Sequence, residues 1–319
     1  MTSRPSSGQG PWTGADVCIP MASRPPSVRA SSPRTQKTKQ LPAGARRAVR
    51  KDSSPGWGRW MFGGWLLFVV WLSVEYVRLP DVRALQTQNP RTTALITQRA
   101  EEALAEGKKP RVRQAWVPLE AVAPHALDAV LSSEDARFYK HEGVDWIEVE
   151  NALEQSVRKA RLGRGASTLT QQLAKNLYLS TDRSLLRKGK ELLLARQLET
   201  HLSKQHILTL YVNVVEWGEG VYGIEAAARE HFGTSARALS VAQGAMLAGM
   251  LPAPRRWLPA QKPETLRIRA GAIIGRLQRE GRITATQARE AQAELSRFFG
   301  ETSVPGSVVE AISRLSSES

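Results

Sequence analysis

The stretch SSEDARFYKHEG, residues 132–143, sets Glu134 and Asp135 side by side where an apolar helical repeat of Leu127, Val130 and Leu131 runs out. A carboxylate at a helix C-terminus opposes the helix dipole. Placements that are locally unfavourable concentrate at functional sites. Taken alone, the stretch reads more readily as solvated acids entering a loop. A second acid, Glu191, lies in DRSLLRKGKELLLARQLE, residues 182–199, crowded by Arg183, Arg187, Lys188 and Lys190. Arg187 and Glu191 are four apart and share a helix face, so surface ion pairing worth a few tenths of a kcal/mol is the competing reading. Two acids in contrasting surroundings suit glycosyl chemistry. One follows an apolar face that favours its protonated form, and the other stays ionised among cations.

Between them lies GRGASTLTQQLAKN, residues 163–176. A glycine-rich loop opens into a helix carrying Ser167, Thr168, Thr170, Gln171 and Gln172, followed by Lys175 and Asn176. Hydroxyls and amides suit sugar contacts, and helix N-terminal amides with a lysine suit an anionic oxygen cluster. A polar cap with a solvated lysine is the plainer alternative. The loop is not a P-loop, because no Gly-Lys-Ser/Thr follows its glycines. Cys18 is the only cysteine, which excludes an intrachain disulfide and a cysteine-based metal centre.

These residues need helices to position them. Leu169, Leu173 and Leu177 form a stripe at i, i+4, i+8. Ser184 is placed to cap the helix that bears Glu191, and Ser240 the helix VAQGAMLAGML, which Pro252 stops. Gly233 closes YGIEAAAREHFG as a C-terminal cap. Two further helices are predicted near 263–280 and 284–298. Since no alternating strand pattern and no repeat is present, the predicted class is mainly α.

Upstream the composition changes. Residues 1–56 are rich in Ser, Pro, Gly and Arg and are predicted to be a disordered basic tail. Residues 57–77, WGRWMFGGWLLFVVWLSVEYV, are 21 residues long, about 31 Å as a helix, enough to span a hydrocarbon core of about 30 Å. Trp57, Trp60, Trp71 and Tyr76 lie toward its ends, as in an interfacial belt. A small-x-small cleavage site does not follow, so an uncleaved transmembrane helix is expected over a signal peptide. Arg46, Arg47, Arg50 and Lys51 precede the span and Arg59 sits in its first turn, while Arg78 and Arg83 follow it. The positive-inside rule then puts the N-terminus in the cytoplasm and the main domain outside. The formal net charge of +15 calls for an anionic partner. An outer domain argues against nucleic acid and leaves an anionic membrane or a phosphorylated substrate. Residues 78–112 are predicted to be a polar connector, partly helical, and residues 113–319 the catalytic domain.

Together these stretches resemble the five sequence blocks of the peptidoglycan glycosyltransferases, glycosyltransferase family fifty-one. Glu134, Asp135, Phe138, His141 and Gly143 match the first block. Gly165, Ser167, Thr168, Leu169, Thr170, Gln171, Gln172, Lys175 and Asn176 match the second, and Arg187, Lys188, Glu191 and Ala195 the third. The fourth is matched through Tyr211, Asn213, Gly218, Gly223, Ala227, Phe232 and Gly233, and the fifth by LSVAQGAMLAGMLPAPRRWLP. Thr209 and Gln243 stand where many members carry Glu, at positions read as structural. Ser156 and Lys159 read Ser-x-x-Lys, but no Lys-Thr-Gly follows to complete a penicillin-binding site, so the monofunctional type is expected.

The resemblance implies a lysozyme-like two-lobed domain that polymerises lipid II into β-1,4-linked glycan, releasing undecaprenyl pyrophosphate with inversion. It implies Glu134 as general base and Glu191 as the second acid, orienting the pyrophosphate or a divalent metal. Asp135, Phe138, His141, Ser167, Thr170, Gln171, Gln172, Lys175, Arg183, Lys188 and Lys190 are the implied substrate-binding set. No cofactor is obligatory, and Mg or Mn at the pyrophosphate is left open. The implied partners are lipid II, the growing glycan and membrane lipids, with other cell-wall proteins left open and no nucleic acid. The implied location is the bacterial inner membrane, with the domain periplasmic. A lytic enzyme on a related fold and a non-catalytic cell-wall scaffold are the alternatives.

Overall fold

The computed structural model describes residues 57–159, 167–182 and 184–300. The expected basic tail, the glycine-rich loop from 163 to 166 and Arg183 lie outside them. Among the described residues the chain is mainly α, as its periodicity predicts. The helices are α1 (Trp57–Val77), α2 (Ala94–Ala105), α3 (Pro124–Glu134), α4 (Trp146–Lys159), α5 (Leu169–Tyr178) and α6 (Leu185–His201). They continue with α7 (Lys204–Val214), α8 (Ile224–Phe232), α9 (Val241–Met250), α10 (Pro263–Arg279) and α11 (Ala285–Phe299). Three short strands, β1 (Arg113–Gln114), β2 (Glu216–Gly218) and β3 (Val221–Tyr222), form one sheet in the order β1-β3-β2. With two or three residues each they are too short to leave an alternating pattern in the sequence.

Helix α1 is long and apolar enough to cross a membrane, and its large side chains are exposed. The predicted caps form. Ser184 accepts from the Arg187 N–H, and Gly233 closes α8 in the left-handed conformation. Ser240 and Gln243 make a reciprocal capping box on α9, so Gln243 fills a structural position. Thr209 is half-buried and bonds back to the Gln205 carbonyl.

The stripe Leu169, Leu173 and Leu177 is buried against the core, each side chain contributing about 1.5–3 kcal/mol of burial. Helix α5 packs on α6 and α7, which places the second sequence block between the third and fourth. Helices α3, α9 and α10 form a second packed group. There Gly244 admits the backbone of Ala126 so closely that a Cβ would come within 2.9 Å of it.

The stretch expected as a connector is built into the domain. Helix α2 is capped by Thr93, buries Leu95 and Ile96, and packs on α5. Its Gln98 bonds Thr181, and Arg99 bonds Glu216 across 117 positions of sequence. Composition reads α2 as polar because only one side of it is buried.

Candidate active site

Asp135 is the point where three elements meet. It terminates α3, but its side chain serves the next block. One oxygen accepts the Leu169 N–H at 2.9 Å, at the start of α5. A charge poorly placed for one helix end is thereby well placed for another helix's N-terminus. Both oxygens lie 3.0 Å from His141 Nε2, and the Gly143 N–H donates to His141 Nδ1 at 3.2 Å. That donation leaves the imidazole proton on Nε2, pointing at Asp135. Gly143 itself adopts φ +89°, and a Cβ there would press on the Ala195 backbone and Glu199 at 3.3 Å. Its carbonyl accepts from Thr168 at 2.7 Å and from Gln171 at 3.2 Å. The first, second and third blocks are thus sewn together by backbone groups.

Glu134, one residue earlier, is partly buried. Its Oε2 accepts from Gln172 Nε2 at 2.9 Å, and Gln172 Oε1 accepts from the Tyr211 hydroxyl at 3.0 Å. The phenol fixes which way the amide points, so the amide must offer N–H to the carboxylate. Burial pushes the Glu134 carboxyl above the usual range, while the Gln172 bond and the charges of Arg269 and Lys175 pull it back. Arg276 donates to the Ser132 carbonyl at 2.5 Å, capping the end of α3 from α10. Arg269, one heptad earlier on α10, donates to the Gly249 carbonyl at 3.0 Å and lies 4.3 Å over the Trp257 ring.

Glu191 has a different setting. It is buried, with one oxygen 2.6 Å from Arg187 and the other held by Lys188. Lys188 also donates to Ser167 at 2.9 Å and to Gln171 at 3.0 Å, which uses all three of its protons. Lys175 feels Glu134 and Glu191 together with Arg187 and Lys188. Burial pulls its ammonium below the ordinary lysine range. It makes no hydrogen bond or ion pair with any described residue.

The structure therefore brings Glu134, Gln172, Lys175, Lys188, Ser167 and Glu191 together. It gives other expected substrate contacts supporting work. Asp135 and His141 are closed on each other, and Gln171 bonds Gly143 and Lys188. Phe138 is core under Lys204, which sits 4.4 Å from its ring. Thr170 is fully buried and donates to Glu199 at 2.6 Å. Lys190 turns away from Glu191 and pairs with Glu75 of α1 at 2.5 Å. A surface-only reading cannot separate such residues from ligand contacts, because both are polar residues at motif positions. The sequence reading did not single out Arg269 and Arg276. Their spacing of seven on an apolar helix is the signal that could have marked them.

A divalent ion does not fit Glu191 as the site stands. Its two oxygens already bind two cations, and the groups around it are ammonium and guanidinium rather than further oxygen ligands.

The site thus sets a partly buried carboxylate and a lysine unpaired among the described residues in one electrostatic neighbourhood. A family described as Transglycosylase matches residues 100–278. The biosynthetic peptidoglycan transglycosylase of Herminiimonas arsenicoxydans is 42% identical over 194 residues, covering 60% of this chain and 84% of that one. That of Nitrosospira multiformis is 37% identical over 223 residues, covering 69% and 96%. Among solved structures, penicillin-binding protein 1A from Haemophilus influenzae is 20% identical with a TM-score of 0.34, covering 57% of this chain and 17% of that one. The chain belongs to the transglycosylase family.

Proposed function

We propose that this protein is a membrane-anchored peptidoglycan glycosyltransferase that polymerises lipid II into β-1,4-linked glycan. The observation that carries this reading is the placement of Lys175. It is a desolvated ammonium, unpaired among the described residues, in the field of both Glu134 and Glu191. In the proposed step Glu134 takes the proton from the acceptor sugar's 4-hydroxyl. The hydroxyl oxygen bonds to C1 of the donor sugar as the bond from C1 to the pyrophosphate oxygen breaks. The electron pair leaves on the pyrophosphate, whose growing charge meets Lys175 and, in this proposal, Arg183. Glu191 holds Arg187 and Lys188 in place, and Lys188 in turn fixes Ser167 and Gln171 on the donor side. A divalent ion is not needed for any of these steps.

In this proposal α1 crosses the inner membrane, with the N-terminus cytoplasmic and the domain periplasmic, where the lipid-linked substrate and anionic lipids are met. The ion pair between Lys190 and Glu75 supports an anchor tied to the third-block helix. Purified protein given fluorescent lipid II should yield glycan ladders and free undecaprenyl pyrophosphate. Release of short soluble fragments from preformed glycan, with no ladders, would favour a lytic enzyme instead. A periplasm-dependent reporter fused after Ser319 should be active and one fused near Lys51 silent, and the reverse would overturn the topology.

A further inference from the structure

Glu134 is held by a chain of three side chains that ends on Tyr211 of α7. Tyr211 is fully buried. Its hydroxyl donates to Gln172 Oε1 at 3.0 Å, and Gln172 Nε2 donates to Glu134 Oε2 at 2.9 Å. Among the described residues these are the hydrogen bonds that the phenol and the Glu134 carboxylate make. Oε1 of Glu134 is thus the oxygen left to take a proton.

The direction of donation is set from the far end of the chain. An amide can present either its N–H or its oxygen to a carboxyl group. With Gln172 turned over, its N–H would face the phenol oxygen, and the phenol proton would be left buried with nothing to accept it. Burial, with the charges of Glu134 and Asp135, holds the phenol well above its ordinary range, so it stays a donor while the base titrates. The N–H that meets Glu134 therefore stays in place in both states of the carboxyl. The charged form accepts from it. The protonated form is denied the amide oxygen that a freely turning Gln172 would offer its O–H. A phenol that does not touch the base thereby works against protonation of the base. The other influences on Glu134 are burial and Asp135, which raise it, and Arg269 on α10 and Lys175 on α5, which lower it. None of these groups depends on the phenol oxygen.

We propose that Tyr211 is a positioning residue for the glycosyl-transfer base: by locking the Gln172 amide it keeps Glu134 an open acceptor for the hydroxyl proton. The proposal rests on the reading of Glu134 as the base for its effect on catalysis, and on the two hydrogen bonds for its effect on the carboxyl.

Tyr211→Phe tests it, since it keeps the buried ring and removes only the oxygen. Two readouts are taken on the full chain in detergent. One is the pH profile of kcat/KM for lipid II consumption. The other is the infrared carbonyl band of the protonated carboxyl, assigned by its loss in Glu134→Gln and followed against pH. In Tyr211→Phe the acidic limb and the infrared midpoint should both move up by about half a pH unit. Well above the limb the rate should be close to wild type. Gln172→Ala already lacks the chain, so adding Tyr211→Phe to it should move neither midpoint further. An unmoved infrared midpoint in Tyr211→Phe overturns the proposal. So does a rate lowered equally at every pH, which marks a role in packing alone. Equal shifts with and without Gln172 overturn it as well, because the phenol would then reach Glu134 by another route. If Glu134→Gln kept its activity, the base reading would fall, while the infrared midpoint would still decide whether Tyr211 positions the carboxyl.

Discussion

Glu134 and Glu191 are the same residue type on different helices, and their surroundings differ at every level. Glu134 accepts from a neutral amide and feels the charges of Arg269 and Lys175, and burial favours its protonated form. Glu191 is clamped between a guanidinium and an ammonium. The first setting raises the proton affinity of the carboxylate above that of a free glutamate. The second fixes a negative charge that serves to hold cations. A carboxylate's role is thus set by what replaces its hydration shell.

The sharpest way to break this contrast is Glu134→Gln, which keeps the shape and removes the base. Polymerisation should fall by about two to four orders of magnitude, with fold and substrate binding retained. More than about a tenth of the wild-type rate in a lipid II consumption assay would show that the base is elsewhere.

Lys175→Ala comes next. Its charge should act on the leaving pyrophosphate in the transition state, so kcat should drop about tenfold or more while KM changes less. Near-wild-type kcat would remove Lys175 from the site.

Glu191→Gln tests the other half. It leaves Arg187 and Lys188 without a buried counter-charge, and because both are partly exposed the cost should be about 1–3 kcal/mol. Denaturant unfolding measures it, and unchanged stability would show that the clamp has no structural role.

Gln172→Ala should give the smallest effect and the most informative one. The Gln172 N–H favours the charged form of Glu134, so removing it raises the carboxyl further. A base works only when deprotonated. The acidic limb of the kcat/KM profile should therefore lie above the ordinary glutamate range in the wild type, and move to higher pH in the variant by a fraction of a unit. A limb moving to lower pH would contradict the hydrogen-bond assignment. The same burial carries a stability cost that is absent below the ordinary glutamate pKa and complete above the raised one.

Much of this contrast was legible before the structure. The helix repeats at Leu127 and Leu169, with caps at Ser184 and Ser240, announce local geometry that depends on near neighbours in sequence. The two acids stood out through the types of residue beside them. The division of labour among their neighbours did not, because it depends on direction. Asp135 and Lys175 are both charged residues at motif positions, but one accepts from a helix N-terminus and the other is unpaired among the described residues, in the field of both acids. Arg269 and Arg276 were missed because they act from about 140 positions away. The strands of the hairpin were missed because two residues carry no period.

One contact has a consequence for how the enzyme comes into being. Arg276 of α10 holds the end of α3 through the Ser132 carbonyl, and Gly244 of α9 receives the backbone of Ala126. Chains emerge from synthesis N-terminus first. The helix carrying the base therefore waits for more than a hundred later residues before its end is secured. A nascent chain, or one broken off early, holds its Glu134 on an unsupported helix end. Competence is then a late event in the life of the polypeptide, arriving only when its C-terminal helices have docked.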